Sequence, residues 1–160
     1  MDPNTADGTV VVAIDDSNPS RAALTWAAAY ARTINSDLRA VHVRRNDFGP
    51  PLAWTPGLRG APRTVSAPEM ELTEASVRDL FNNVVPEPSW TLAFLEGPVG
   101  QQIVQYADRA QLLVIGTHEH RGLERLLVGS VSHYCLAHAI CPVVAVPPAP
   151  VGAAVAPRAG

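Results

Sequence analysis

Five short apolar runs alternate along this chain with four stretches of helical periodicity, and this alternation restricts the fold more than any other feature. The apolar runs, rich in β-branched residues, are typical of strands covered on both faces. They span residues 9–15, 38–43, 90–95, 112–115 and 142–146. The helical stretches span residues 20–34, 69–84, 99–109 and 130–139. The order predicts a doubly wound α/β fold, in which a five-stranded parallel sheet carries helices on both faces.

The 160 residues suffice for one domain with a substantial core. We expect this domain to occupy residues 9–147. Within it, residues 44–68 contain so many prolines and glycines that a long irregular loop is predicted. Residues 1–8 and the Ala/Pro-rich residues 148–160 lack periodicity and are predicted to be flexible.

Charge and hydropathy exclude several classes of function. The net charge of −3 gives no basic surface for nucleic acid or an anionic membrane. All basic residues are arginine, so mechanisms that need a lysine nucleophile or a P-loop lysine are excluded. No apolar run approaches the ~20 residues of a membrane span, and the acidic amino terminus does not resemble a signal peptide. We therefore expect a cytoplasmic protein that binds neither nucleic acid nor membranes.

The parallel sheet predicts where a ligand would bind. Ligands of such sheets lie beyond the carboxyl ends of the strands, where the strand order reverses. The first and fourth strands should flank that point, and they end in residues 15–17 and 116–118. After the fourth strand, Gly122, Gly129 and Ser130 lead into the last helix. A glycine-bearing loop before a helix N-terminus is a candidate phosphate-binding segment.

Six sequence blocks fall at strand ends and helix starts. They are Val-Val-Val-Ala-Ile-Asp-Asp-Ser at 10–17, Ala-Val-His-Val at 40–43, Glu-Gly at 96–97, Leu-Leu-Val-Ile-Gly-Thr at 112–117, Leu-Leu-Val-Gly-Ser-Val-Ser at 126–132 and Cys-Pro-Val-Val-Ala-Val-Pro at 141–147. In this order they resemble the universal stress protein family. The resemblance implies an adenine-nucleotide alpha-hydrolase-like fold, a cytoplasmic stress-response protein, homodimers that pair their last strands, and no established catalysis.

Some members of that family bind ATP through a glycine, two residues, a second glycine, nine residues, and then glycine with serine or threonine. Gly116, Gly129 and Ser130 match the first and last elements of this pattern, but Glu119 stands at the second glycine. A carboxylate facing a phosphate would oppose binding by about 1 kcal/mol in bulk water and about 4 kcal/mol at an effective dielectric constant of about 20. Nearby His118 and a bridging Mg²⁺ are features that would offset this charge.

The resemblance also assigns the adenosine side of the site. Asp15 matches an acidic residue that approaches adenosine, and Val43 matches a position beside the adenine. The residues predicted to bind ATP or another adenine nucleotide are Asp15, Val43, Gly116, Thr117, Gly129 and Ser130. One interpretation is a nucleotide-binding sensor or regulatory module. The other is a dimeric interaction module of the same fold that binds no nucleotide and uses the glycines only for tight turns and close packing.

Two other clusters of reactive side chains are expected to be structural. Asp15 and Asp16 are consecutive and point in different directions, and no partnered nucleophile or base is evident, so we expect no enzyme. Four potential metal ligands occur near the last helix without a tight pair, so no metal site is predicted. They are His133, Cys135, His138 and Cys141.

The first helix is expected to contribute one apolar face to the core. Asn18 is the predicted N-cap, with Pro19 as the first helical residue. Helical spacing predicts that the helix buries Ala23, Trp26, Ala27, Tyr30 and Ile34.

Overall fold

Five parallel strands and four helices alternate through the part of the chain that this computed structural model describes, residues 7–45, 67–117 and 130–148. The strands are β1 (Val10–Ala13), β2 (Leu38–Arg44), β3 (Thr91–Glu96), β4 (Leu112–Gly116) and β5 (Val143–Val146). The helices are α1 (Asn18–Thr33), α2 (Ala67–Asn82), α3 (Val99–Tyr106) and α4 (Ser130–His138). Within these ranges, no helix combines the length and apolar character needed to cross a membrane.

The sheet has the strand order β3-β2-β1-β4-β5, and the predicted α/β architecture is confirmed. β1 lies at the centre and pairs in parallel with β2 on one side and β4 on the other. The chain therefore builds one half of the sheet outward from β1 and then returns to build the other half. The strand order reverses between β1 and β4, as the sequence predicted.

β2 and α2 each include residues that were predicted to belong to the proline-rich loop at 44–68. β2 continues through Arg44 because its pairing with β3 extends to Glu96. α2 begins at Ala67, inside the predicted loop. The rest of that loop, residues 46–66, lies outside the described residues.

β1 is covered on both faces of the sheet, which explains its unbroken apolar sequence. Val10 and Val12 pack into a cluster with α1 and α2, whereas Val11 packs into a second cluster with α3 and α4. All three side chains are at most 1% exposed. Because successive residues of a strand point to opposite faces, a strand that is covered on both faces must be apolar throughout.

The buried face of α1 consists of small residues and one leucine, and it matches the predicted face at Ala23 and Ala27 but not at Trp26 and Ile34. The fully buried side chains are Ala23, Leu24, Ala27, Ala28 and Ala31. Alanine lets the helix approach the sheet closely, which leaves no space for an indole. Trp26 is instead 38% exposed and stacks on Tyr30, with the ring centroids 5.1 Å apart. The prediction that Trp26 and Ile34 are buried is therefore wrong.

The start of α1 is also one position earlier than expected. Ser17 is the N-cap, and its hydroxyl accepts a hydrogen bond from the Ser20 amide. Asn18 is already the first helical residue, and Pro19 follows it. Proline is tolerated there because the first amides of a helix have no acceptor within the helix.

Arg32 joins the end of α1 to the segment between α2 and β3. Its guanidinium donates to the carbonyls of Val84 and Val85 at 2.9 and 2.6 Å, and it pairs with Glu87 at 3.1 Å. The same group lies over the ring of Trp90. Val85 is held at φ 51°, a left-handed conformation that is strained for a β-branched residue.

Replacing Val85 tests this strain. We expect Val85→Gly to raise the free energy of unfolding by about 1 kcal/mol, because the relief of about 1–3 kcal/mol of strain exceeds the entropy cost of a new glycine. Asn35→Gly is the matched control: Asn35 has the same φ of 51°, but asparagine tolerates it. Urea denaturation measures both variants. Equal changes in the two would contradict the assignment of strain to Val85.

Candidate functional site

A cavity of about 370 Å³ opens at the reversal of strand order, beyond the carboxyl ends of β1, β2 and β4. The first turns of α1, α3 and α4 complete its walls. Four of the residues predicted to bind nucleotide line this one cavity: Asp15, Val43, Gly116 and Ser130. The fold therefore brings together residues that are separated by up to most of the domain in sequence.

Asp15 is held in place by the first turn of α1. Its Oδ1 accepts hydrogen bonds from the Ser17 amide at 2.9 Å and from the Ser20 hydroxyl at 2.6 Å. The Ser20 hydroxyl in turn accepts from the Asp15 amide at 2.9 Å. Burial alone would raise the pKa of Asp15, but these hydrogen bonds and nearby His42 outweigh it and lower the pKa below its ordinary value. The cavity therefore contains a fixed carboxylate that is ionised at neutral pH.

The end of β2 forms the opposite wall. His42 is buried, and its Nδ1 donates to the Ile14 carbonyl at 2.9 Å, since a carbonyl oxygen can only accept. This bond ties β2 to the residue that precedes Asp15. Val43 points to the other face, where it packs with Ile103 of α3 and Ile115 of β4. The cavity is consequently apolar towards α3 and polar beside α1.

Gly116 permits an unusually close contact between β4 and α1. A Cβ atom on this residue would lie 2.6 Å from both the carbonyl carbon and the carbonyl oxygen of Pro19. On the α4 side, the Ser132 hydroxyl donates to the Gly116 carbonyl at 3.1 Å. Gly116 therefore has a clear packing role, in addition to its place in the cavity wall.

Thr117 and Gly129 are not part of the wall that the structure describes. Thr117 is 2% exposed, and both its amide and its hydroxyl donate to the Val146 carbonyl, at 2.9 and 3.3 Å. Its hydrogen-bond donors thus stabilise the β4–β5 edge and are not directed to a ligand. Gly129 lies outside the described residues, as do Glu119 and Gly122.

Several residues of the cavity were not predicted from the sequence. They are Ser20, His42, Arg45, Val99 and Ile103. There was a reason in the sequence to include His42, because it lies at a strand end within the family-like block at 40–43. There was also a reason to include Ser20, because this residue follows the predicted N-cap of the first helix. Arg45, Val99 and Ile103 depend on how α3 crosses the sheet, which sequence periodicity does not specify.

The cysteines and histidines on and just after α4 form no cluster that could hold a metal ion in the described part of the chain. No group of three or more potential metal ligands is found within the described ranges. Burial raises the pKa of Cys135 to about 11, and burial also raises the pKa of Cys141. Both thiols are therefore protonated at neutral pH, although thiolates are the form that binds metals.

Comparison with known sequences identifies related proteins. The model of the universal stress protein family matches residues 8–147. Universal stress protein A homolog 1 of Coxiella burnetii is 33% identical over 141 residues, which cover 86% of this chain and 94% of that protein. A universal stress protein of Mycobacterium tuberculosis is 32% identical over 144 residues, covering 86% of this chain. This chain spans 47% of that longer relative.

Solved structures share the same fold. UspA from Lactobacillus plantarum superposes with a TM-score of 0.62 at 24% identity, covering 89% of this chain and 99% of that one. A universal stress protein in complex with cAMP has a TM-score of 0.61 at 20% identity, covering 91% and 100% of the two chains. One from Archaeoglobus fulgidus in complex with dAMP has a TM-score of 0.58 at 21% identity, covering 89% and 99%.

Substitution of Gly116 tests its packing role without a ligand. We expect Gly116→Ala to lower the free energy of unfolding by about 2 kcal/mol or more, because backbone atoms of Pro19 must move away from the new methyl group. Gly8→Ala is the control, since a Cβ there meets no atom within 4 Å and only its φ of +72° opposes the change. Thermal or urea unfolding of ligand-free protein measures both. A cost for Gly116→Ala no larger than that for Gly8→Ala would contradict the packing role.

Proposed function

The chain belongs to the universal stress protein family, and on this premise we propose that it is a cytoplasmic sensor or regulatory module that binds an adenine nucleotide between β1 and β4. The observation that carries the proposal is the convergence of Asp15, Val43, Gly116 and Ser130 on one cavity. The cAMP and dAMP complexes of proteins with the same fold support the choice of an adenine ligand.

In the proposed complex, each wall of the cavity has a separate role. The ionised Asp15 accepts hydrogen bonds from the ribose hydroxyls, because an anion held by Ser17 and Ser20 is a strong acceptor already in place. Val43 and Ile103 form the apolar wall against which the purine packs.

We assign the phosphate side of the ligand to the start of α4. Ser130 is the first residue of α4, so we propose as phosphate donors its hydroxyl and the amides of the first helical turn, which have no acceptor within the helix. Gly116 lines the cavity, but the space of its missing side chain is taken by the Pro19 backbone, so its contribution is to set the shape of the wall. Gly129 remains a proposed contact, on the basis of the motif. Thr117 is left out because its amide and its hydroxyl both donate to the Val146 carbonyl.

The role we propose is binding without turnover. A general base works best with a pKa near the working pH. The pKa of Asp15 is instead lowered by its serine hydrogen bonds, which outweigh burial, so this carboxylate is a weak base. Its geometry suits recognition of hydroxyl groups better than proton abstraction.

Paired substitutions of the two aspartates test the ligand site. We expect Asp15→Asn to weaken AMP or ATP binding at least ~10-fold, equivalent to ~1.4 kcal/mol, because an amide accepts hydroxyl hydrogen bonds less strongly than a carboxylate. Asp16→Asn is the matched control, since Asp16 is exposed and is not part of the cavity wall. Titration calorimetry with and without Mg²⁺ measures the affinities. Absence of heat from wild type at millimolar nucleotide would refute the proposal.

A further variant separates the two interpretations of the family motif. Glu119→Gly restores the second glycine of the pattern and removes one negative charge. If wild type binds ATP and Glu119→Gly binds it more tightly, the result supports a nucleotide sensor of modest affinity. Binding that appears only in Glu119→Gly would favour a module that functions without nucleotide.

The exposed edge of β5 favours a second function, self-association. Within the described residues, β5 pairs only with β4. The Pro142 and Val146 carbonyls accept from β4 and Thr117, so the alternating geometry turns the backbone groups of Val143 and Ala145 outward. A second copy could add its own β5 to this edge, and we propose a homodimer formed in this way.

The outward backbone groups of β5 make this dimer testable. Ala145→Pro removes an outward N–H without removing a bond to β4, so we expect self-association to weaken at least ~10-fold while the fold is retained. Ala145→Thr keeps the N–H and is the control. Light scattering after size-exclusion chromatography gives the masses. A monomeric wild type, or an equally dimeric Ala145→Pro, would argue against the β5 dimer.

A further inference from the structure

A second cavity of about 320 Å³ adjoins the first. Its walls include Pro98, the first turn of α3 and Tyr134 of α4. Four residues belong to the walls of both cavities: Arg45, Val99, Ser130 and Val131. A ligand that fills the first cavity can therefore extend past these residues into the second.

Arg45 is the only lysine or arginine among the described residues that line either cavity. It follows β2 directly, beside Arg44, but the two arginines have different surroundings. Arg44 pairs with Glu74 at 2.9 Å and also with Glu96. Arg45 forms no ion pair with any described residue. Within the described part of the chain, no carboxylate therefore competes with an incoming anion for the Arg45 guanidinium.

The charges of the two cavities are separated. Asp15 lines the first cavity only, whereas Arg45 and Ser130 lie where the cavities meet. Opposite charges attract and like charges repel. A ligand with a hydroxyl-bearing sugar and an anionic group is thus oriented with the sugar at Asp15 and the anion at the junction.

Resting on the proposed nucleotide function, we infer that this junction and the second cavity form a phosphate subsite in which Arg45 supplies the cationic contact. The Ser130 hydroxyl donates beside it, and the second cavity receives phosphates beyond the first. Arg45 is therefore a specificity-determining residue that selects phosphorylated adenine nucleotides over adenosine. The phosphate motif of this chain carries Glu119 in place of a glycine. A cationic contact from Arg45 would offset the negative charge that this residue adds.

The test compares ligands that differ only in phosphate. Calorimetry measures adenosine, AMP and ATP against wild type, Arg45→Gln and Arg45→Lys. We expect wild type to prefer AMP over adenosine at least ~10-fold, and Arg45→Gln to lose most of this preference with adenosine affinity unchanged. Arg45→Lys should retain part of it, because the charge remains but the planar fork is lost. Arg109→Gln is the charge-matched control beyond the end of α3, outside both walls.

Two further measurements separate charge from shape. Added salt should reduce the AMP preference of wild type and leave that of Arg45→Gln nearly unchanged, because screening weakens an exposed ion pair. Gln101 lines only the second cavity. Gln101→Trp should therefore weaken ATP binding several-fold without changing the affinity for adenosine.

The possible failures are distinguishable. If wild type binds none of the three ligands, both the proposed function and the subsite are refuted. If wild type binds adenosine and AMP, but Arg45→Gln weakens both equally or neither, the subsite alone is refuted and the nucleotide function stands. An ATP affinity that is unchanged in Gln101→Trp would refute the placement of further phosphates in the second cavity.

Discussion

The contact between Gly116 and the Pro19 backbone is the constraint on which the site depends. Because no side chain separates them, the first turn of α1 lies directly against the end of β4. That position allows Ser20 to bind Asp15 at the end of β1. It also leaves room on the other side for α4, whose Ser132 bonds to Gly116. Helix starts from both layers thus meet at the one place where the sheet reverses its strand order.

The architecture was predictable because it follows from short-range patterns. The unbroken valines of β1 indicated burial on both faces, and the regular alternation of elements indicated a parallel sheet. The face of α1 was less predictable. Trp26 lies at the edge of the apolar stripe, and helical spacing alone does not show how deeply that edge is buried. The alanines beside it decided the outcome, because they bring the helix too close to the sheet for an indole.

Some of the proposed binding residues were likewise predictable from the sequence, and others were not. Asp15, Val43 and Gly116 lie at strand ends, so the order of strands was enough to bring them together. Thr117 has the same kind of position, yet its donors go to Val146 on a strand that comes much later in the chain. Arg44 and Arg45 are adjacent in sequence, but one is enclosed by glutamates and the other borders the cavities. Such differences arise from long-range packing and require a structure.

The buried thiol of α4 has a chemical consequence for the core. With a pKa of about 11 caused by burial, Cys135 is ionised at pH 7 in only about one molecule in ten thousand. Peroxides and disulfides react with the thiolate, and this side chain is also completely shielded from solvent. Cys135 is thereby shielded from oxidation, and reagents in solution would encounter the partly exposed Cys141 first.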